Sequence, residues 1–196
     1  VIDARSAGHN GRAGLDQVYC NLTDKPVSDF VEWGRWLQSL PYVQADKIGV
    51  EGFSFGGTMT AMLLCDHSDV FHYGIAGGGV YDWILYDTHY TERFMETPQT
   101  NPDGYEAARV ISHVKSYPVN AYDRSNDGKV MLKITHGTGD DNVHFQNTLQ
   151  LINEMQSRGK SFELMIYPDA MHGYRGVQGE HSMRMDMEFW SRYLLR

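Results

Sequence analysis

The chain has 196 residues, with 17 Lys and Arg against 25 Asp and Glu and a formal net charge of −8. That balance argues against nucleic acid as a partner, because phosphate binding needs a basic face. No run reaches the ~18 apolar residues of a membrane span, and a 41% hydrophobic content suits one globular domain over residues 1–196.

In chain order, residues 1–3 resemble the end of a strand and lead into a loop carrying Arg5, Gly8, Gly11 and Gly14. Residues 27–40 predict a helix with Phe30, Val31, Trp33, Trp36, Leu37 and Leu40 on one side, and Pro41 ends it. "IGVEG" at 48–52 is a short apolar strand, and 56–64 a helix of small and apolar residues. Further strands are expected at 73–79, 130–137 and 162–168, with helices at 143–158 and 183–195. Residues 81–127 are long, aromatic and irregular, and are expected to form a helical excursion over the sheet. Strands alternating with helices imply βαβ units and a parallel sheet. The chain has neither an initiating Met nor a signal-peptide pattern, so it is expected to be part of a longer protein, with any localisation signal lying elsewhere.

"GFSFGG" at 52–57 fits Gly-x-Ser-x-Gly, with Ser54 between a strand and a helix. That is the context of a nucleophile elbow. The turn is tight, so Gly52 and Gly56 are expected to avoid Cβ clashes, and the helix N-terminus helps to stabilise negative charge. The bland alternative is an inert serine in a tight turn. A nucleophilic serine needs a base, and the base needs an acid, in the chain order Ser, Asp, His. "HGTGDDNVH" at 136–144 follows the third of these strands with Asp140 and Asp141, and "PDAMHGY" at 168–174 follows the fourth with His172. Loops at the carboxyl ends of parallel strands converge, so three such loops can form one site.

Other features receive plainer readings. His136 ends a strand and suits a hydrogen-bonded structural role, His144 starts a helix, and His181 precedes the last one. A metal site on Asp140, Asp141 and His144 lacks a second cluster of ligands. "DRSNDG" at 123–128 lacks the Glu of a calcium loop and is expected to be a turn. Cys20 and Cys65 are the only cysteines, too few for a disulfide framework, and are expected to be buried thiols. Asn21-Leu22-Thr23 is a glycosylation sequon, which matters only in a secreted eukaryotic protein.

Four segments carry a family resemblance: "GFSFGG", "YDWILYDTHYTERFM" at 81–95, "HGTGDDNVHFQ" at 136–146 and "DAMHG" at 169–173. Together they resemble the C-terminal part of the catalytic domain of dipeptidyl peptidase IV-type enzymes in the prolyl oligopeptidase family. The likeness is weaker at 1–25 and 116–129. It implies an α/β-hydrolase fold, a mostly parallel sheet with flanking helices, with the first strands of that fold and a β-propeller outside this chain. It also implies Ser54 as nucleophile, His172 as base and Asp140 as the orienting acid. Asn142 would hold the carbonyl of the substrate's second residue, and Phe55, Val80, Trp83, Tyr86, Tyr90 and Val143 would line a pocket for proline. Val80, Trp83, Tyr86 and Tyr90 recur at roughly helical spacing and can share one face; without the resemblance a core-facing stripe is the preferred reading. Glu92 and Arg93 would tie the site together. No cofactor or metal is implied.

Two departures from the family pattern bear on activity. Phe55 stands where the family usually has Tyr after the nucleophile; its N–H can still serve an oxyanion. The tyrosine that supplies a second oxyanion donor, and the propeller's acidic pair for the substrate amine, lie outside the chain. The chain alone is therefore expected to be inactive or weak. The resulting expectation is a serine exopeptidase that releases N-terminal dipeptides with proline or alanine in second place. The alternatives are a prolyl tripeptidyl peptidase, a related acylpeptidase or esterase, or an inert homologue that only binds. Peptides, the propeller and a second copy of the chain, through the last helix, are the expected partners. The resemblance places such enzymes in the periplasm, at the cell surface or secreted.

Overall fold

The computed structural model describes residues 2–121 and 129–195. Four strands, β1 (Gly49–Phe53), β2 (Tyr73–Gly77), β3 (Met131–Gly137) and β4 (Glu163–Tyr167), form one sheet in the order β1-β2-β3-β4. Every pairing is parallel, with Phe53 opposite Gly77, Gly77 opposite Thr135, and Gly137 opposite Tyr167. The carboxyl ends of all four strands therefore lie along one edge. The helices are α1 (Gly11–Leu15), α2 (Asp24–Gln38), α3 (Phe55–Asp66), α4 (Thr88–Met95), α5 (Pro102–Ala107), α6 (Val110–His113), α7 (Gln146–Ser157) and α8 (Gly176–Tyr193). Residues 2 and 3 are not in a strand, contrary to expectation, and the turn expected at 123–128 lies outside the described residues.

Strand alternation divides the core. Ala76, Leu132 and Ile134 face α3 and α7 in the main cluster, with Leu63, Leu64, Leu151 and Met155. Tyr73 and Ile75 face the other way, against Phe189, Trp190 and Tyr193 of α8. Lys133 also faces α8, where its buried ammonium meets Asp186 at 2.8 Å. A strand covered on both faces must be apolar nearly throughout, and β2 is buried along its whole length.

The helices are legible locally. Asn21 Oδ1 accepts from the N–H groups of Thr23 and Asp24 at 3.2 and 3.1 Å, which starts α2. The buried face of α2 is Pro26, Val27, Val31 and Gly34. A Cβ on Gly34 would lie 2.3 Å from Val70 Cγ1, so the bare glycine lets α2 approach its neighbour. Trp33 and Trp36, expected on the buried side, are instead exposed and pack edge to face at 5.5 Å. The reason is that Gly34 and Val31 take the contact face one turn apart, leaving the indoles outside. α8 begins at Gly176 rather than at 183; residues 176–182 carry two glycines and no apolar period, which hid its first turns from the sequence. Cys65 is buried as expected, whereas Cys20 is only half-buried and has φ 62°.

Candidate active site

Ser54 sits between the end of β1 and the first residue of α3, with φ 59° and ψ −123°. A non-glycine residue there is strained, and such strain persists only where the surroundings over-determine it. Here the Ser54 N–H donates to Gly77 O at 2.8 Å and its carbonyl accepts from Thr58 N at 3.1 Å. The glycines are only partly where steric reasoning put them. A Cβ on Gly52 would lie 2.3 Å from the Gly56 carbonyl carbon, so Gly52 is required. Gly56 itself has open space at its Cβ position, which corrects the expectation. Gly57 is the second tight position, where a Cβ would lie 2.5 Å from Gly77 O and α3 presses onto the sheet.

His172 follows β4 on the loop that leads to α8. Its Nε2 faces Ser54 Oγ at 2.9 Å, and its Nδ1–H donates to Asp140 Oδ2 at 2.7 Å. Asp140 follows β3 and is buried, whereas Asp141 is exposed. Asp140 Oδ1 accepts from the N–H groups of Asn142 at 3.0 Å and Val143 at 2.9 Å. The carboxylate thus builds its own turn and is fixed in plane before it meets the imidazole. Among the described residues no cluster of three His, Cys, Asp or Glu side chains is placed to hold a metal ion.

The aromatic residues also converge, by a different route from the one expected. Val80, Trp83, Tyr86 and Tyr90 do not share one helix. Trp83 lies in a short 3₁₀ turn, Tyr86 is extended, and Tyr90 lies on α4. Two aspartates redirect the chain: Asp82 accepts from Ile84 N, and Asp87 caps α4 by accepting from Tyr90 N at 2.8 Å. The outcome is a box of rings. Trp83 and Tyr90 stack at 6.2 Å and 12°, Tyr86 stands edge-on to both, and Phe55 meets Trp83 at 5.9 Å. Val80 and Val143 are buried beside them. Thr58 of α3 pins Val80, accepting from its N–H at 3.1 Å and donating to its carbonyl at 2.8 Å.

The ring box touches the triad loop directly. Tyr86 Oη–H donates to Asn142 Oδ1 at 2.8 Å, which leaves the Asn142 amide N–H₂ free on an exposed side chain. Burial pushes the Tyr86 and Tyr90 hydroxyls above the ordinary tyrosine value, so both keep their protons at neutral pH. Glu92 and Arg93 do not tie the site together: both are exposed, and Arg93 contacts His89 at 2.7 Å. Sequence reasoning missed Phe53, whose ring packs 5.1 Å from that of His172. It also missed that His136 Nε2 reaches Asp140 Oδ2 at 3.2 Å. The signal for His136 was its register: it shares a strand face with Leu132 and Ile134, so it had to be a buried polar group with partners.

Fold and strand-end loops place this protein among the α/β hydrolases. The whole chain, residues 1–196, matches the prolyl oligopeptidase family, and it belongs to that family. It is 40% identical over 174 residues to the probable dipeptidyl-aminopeptidase B of Talaromyces marneffei, covering 88% of this chain and 18% of that protein. It is 36% identical to the protein of that name from Arthroderma gypseum, over 100% of this chain and 20% of the relative. The crystal structure of Porphyromonas gingivalis dipeptidyl peptidase 4 superposes with a TM-score of 0.88 at 32% identity, over 98% of this chain and 26% of that one. The chain thus spans about a fifth of the length of the curated relatives it matches.

Proposed function

We propose that this chain carries the acyl-transfer machinery of a longer dipeptidyl peptidase that prefers proline or alanine next to the N-terminal residue. The observation that carries this reading is the unbroken chain Ser54–His172–Asp140 opening beside the ring box. The names of the relatives support it.

In this reading His172 Nε2 takes the Ser54 proton as Oγ bonds to the carbonyl carbon after the second residue. The developing oxyanion faces the N–H of Phe55, which as the first residue of α3 has no partner within the helix. A second donor comes from outside the chain. Collapse breaks the C–N bond, and the leaving amine takes the proton from His172. Water then cleaves the dipeptidyl ester and restores Ser54. The second residue's carbonyl is the one under attack, so the free Asn142 amide, held in aim by Tyr86, donates instead to the carbonyl of the substrate's N-terminal residue. A compact ring such as proline fits among the faces of Trp83, Tyr86 and Tyr90, which crowd out longer side chains.

The test uses the full-length protein that contains this chain. Gly-Pro-anilide should be cleaved far faster than its N-acetylated form, Ala-Ala-Pro-anilide or a butyrate ester. Ser54→Ala should remove on the order of 10⁴-fold or more of kcat. Preference for the tripeptide would replace the reading with a tripeptidyl peptidase. Cleavage of the ester alone would remove the proline pocket and keep only the triad. Undiminished cleavage by Ser54→Ala would end the acyl-enzyme reading altogether.

A further inference from the structure

The triad aspartate serves two imidazoles, not one. His136, at the end of β3, is 0% exposed and packs edge-on against Phe145 at 5.6 Å. Its Nε2 faces two acceptors, Asp140 Oδ2 at 3.2 Å and the Val143 carbonyl oxygen at 2.9 Å. Its Nδ1 faces the Thr148 hydroxyl of α7 at 2.7 Å. A carbonyl oxygen and a carboxylate cannot donate, so Nε2 must carry the proton. A hydroxyl can donate, so Thr148 can satisfy a bare Nδ1. Burial, the largest influence on His136, holds it below the ordinary histidine value and keeps the ring neutral.

The consequence for Asp140 is geometric. Oδ1 takes the N–H groups of Asn142 and Val143, and Oδ2 takes those of His172 and His136. Both carboxylate oxygens are then fully engaged, and the group can neither rotate nor admit water. The same Nε2–H holds the Val143 carbonyl, so it closes the turn that carries Asn142.

We propose that His136 is a positioning residue: a neutral Nε2–H imidazole, held in that tautomer by Thr148, that locks the Asp140 carboxylate and shares its charge with His172. The inference rests on the triad assigned above. Sharing has a sign. A donor on Oδ2 weakens the hold of Asp140 on protonated His172, so removing the donor makes His172 more basic. The titratable groups around Asp140 are His172 and His136, with the hydroxyls of Tyr86 and Tyr174 farther out and held neutral by burial.

The variants His136→Leu and His136→Gln of the full-length protein separate this role from mere filling of space. Leucine keeps the volume and loses the donor; the glutamine amide restores a donor near the position of Nε2. His136→Leu should slow labelling of Ser54 by a fluorophosphonate by roughly tenfold to a hundredfold, as expected for one hydrogen bond to a charged group. Its acidic limb should move to higher pH, and His136→Gln should recover most of both effects. Labelling reports on the nucleophile whatever the peptide substrate, so a failed dipeptidyl assignment leaves this result readable. Equal rates and pH limbs in wild type and His136→Leu would overturn the proposal, as would equal impairment in both variants with an unmoved limb. If His136→Leu does not fold, the ¹⁵N imidazole signals of the wild-type protein decide: a neutral Nε2–H ring from acid to alkaline pH supports the proposal, and an Nδ1–H ring or a titrating one overturns it.

Discussion

The triad loops and the ring box meet at Asn142 and Phe55, yet they are held by different forces. Ser54, Asp140 and His172 stand at the ends of three parallel strands, and each is fixed by hydrogen bonds to backbone or to another triad member. The ring box stands on short turns and helices between β2 and β3, shaped by Asp82 and Asp87 and filled by stacked rings. Hydrogen bonds are directional and fix the line between donor and acceptor, which proton transfer needs. Ring packing fixes volume and shape, which selection of a side chain needs. The difference implies that chemistry and selectivity can be damaged separately.

The largest separation should come from Asp140→Asn. Asparagine can still accept from the N–H groups of Asn142 and Val143, so the turn survives. Its amide would then face His172 Nδ1 with a donor and impose the wrong tautomer. In the full-length protein kcat should fall on the order of 10⁴-fold with KM nearly unchanged. A large rise in KM with kcat preserved would show that the triad loop and the ring box are one mechanical unit.

Trp83→Ala attacks the other region. Trp83 is 2% exposed, donates its Nε1–H to Ala108 O at 3.1 Å and touches Phe55, Tyr86 and Tyr90. Its truncation should cost about 3–5 kcal/mol of stability. Selectivity for proline should fall, while labelling of Ser54 by a fluorophosphonate should stay within a few-fold of wild type. Loss of labelling in protein that is still folded, shown by circular dichroism, would refute the separation.

The two regions were not equally legible in the sequence. Triad residues sit directly after apolar strands, and a parallel sheet sends all such ends to one edge, so position along the chain was nearly enough. Asp140 could be told from Asp141 only through the family resemblance; in the structure the N–H groups of Asn142 and Val143 that donate to Asp140, and its burial, make the distinction. The ring box was legible as a set of residues but not as a shape. A spacing that suits a helix hid two aspartate-capped restarts, because a cap is decided by backbone direction as well as by residue type. Trp33 and Trp36 misled for the opposite reason: an apolar side chain predicts burial only if a neighbour comes close, and Gly34 brought the neighbour to the other face. Lys133 in β3 was invisible as a buried cation because its partner, Asp186, lies on α8.

A contact away from both regions ties the far end of α3 to the helices that follow the ring box, and it sharpens the comparison most finely. His113, at the end of α6, places Nδ1 2.5 Å from Asp66 Oδ2 at the end of α3 and Nε2 3.0 Å from the Ala107 carbonyl at the end of α5. Both neighbours are acceptors, so only the doubly protonated ring satisfies both. The Asp66 hydrogen bond and charge raise the His113 pKa above its ordinary value, with partial burial and Lys115 opposing. A group whose folded pKa is raised stabilises the fold fully below its unfolded pKa of about 6.5 and loses that contribution as pH rises through the folded value. His113→Gln should therefore lower the melting midpoint at pH 5.5 and matter less at pH 9, with an acid-side effect of about 1 kcal/mol or less for a partly exposed pair. Cleavage at the alkaline end should be unchanged, because neither region loses a contact it still had there. A loss of stability independent of pH would mean that His113 acts by packing, and that α3 and the excursion are joined by shape alone.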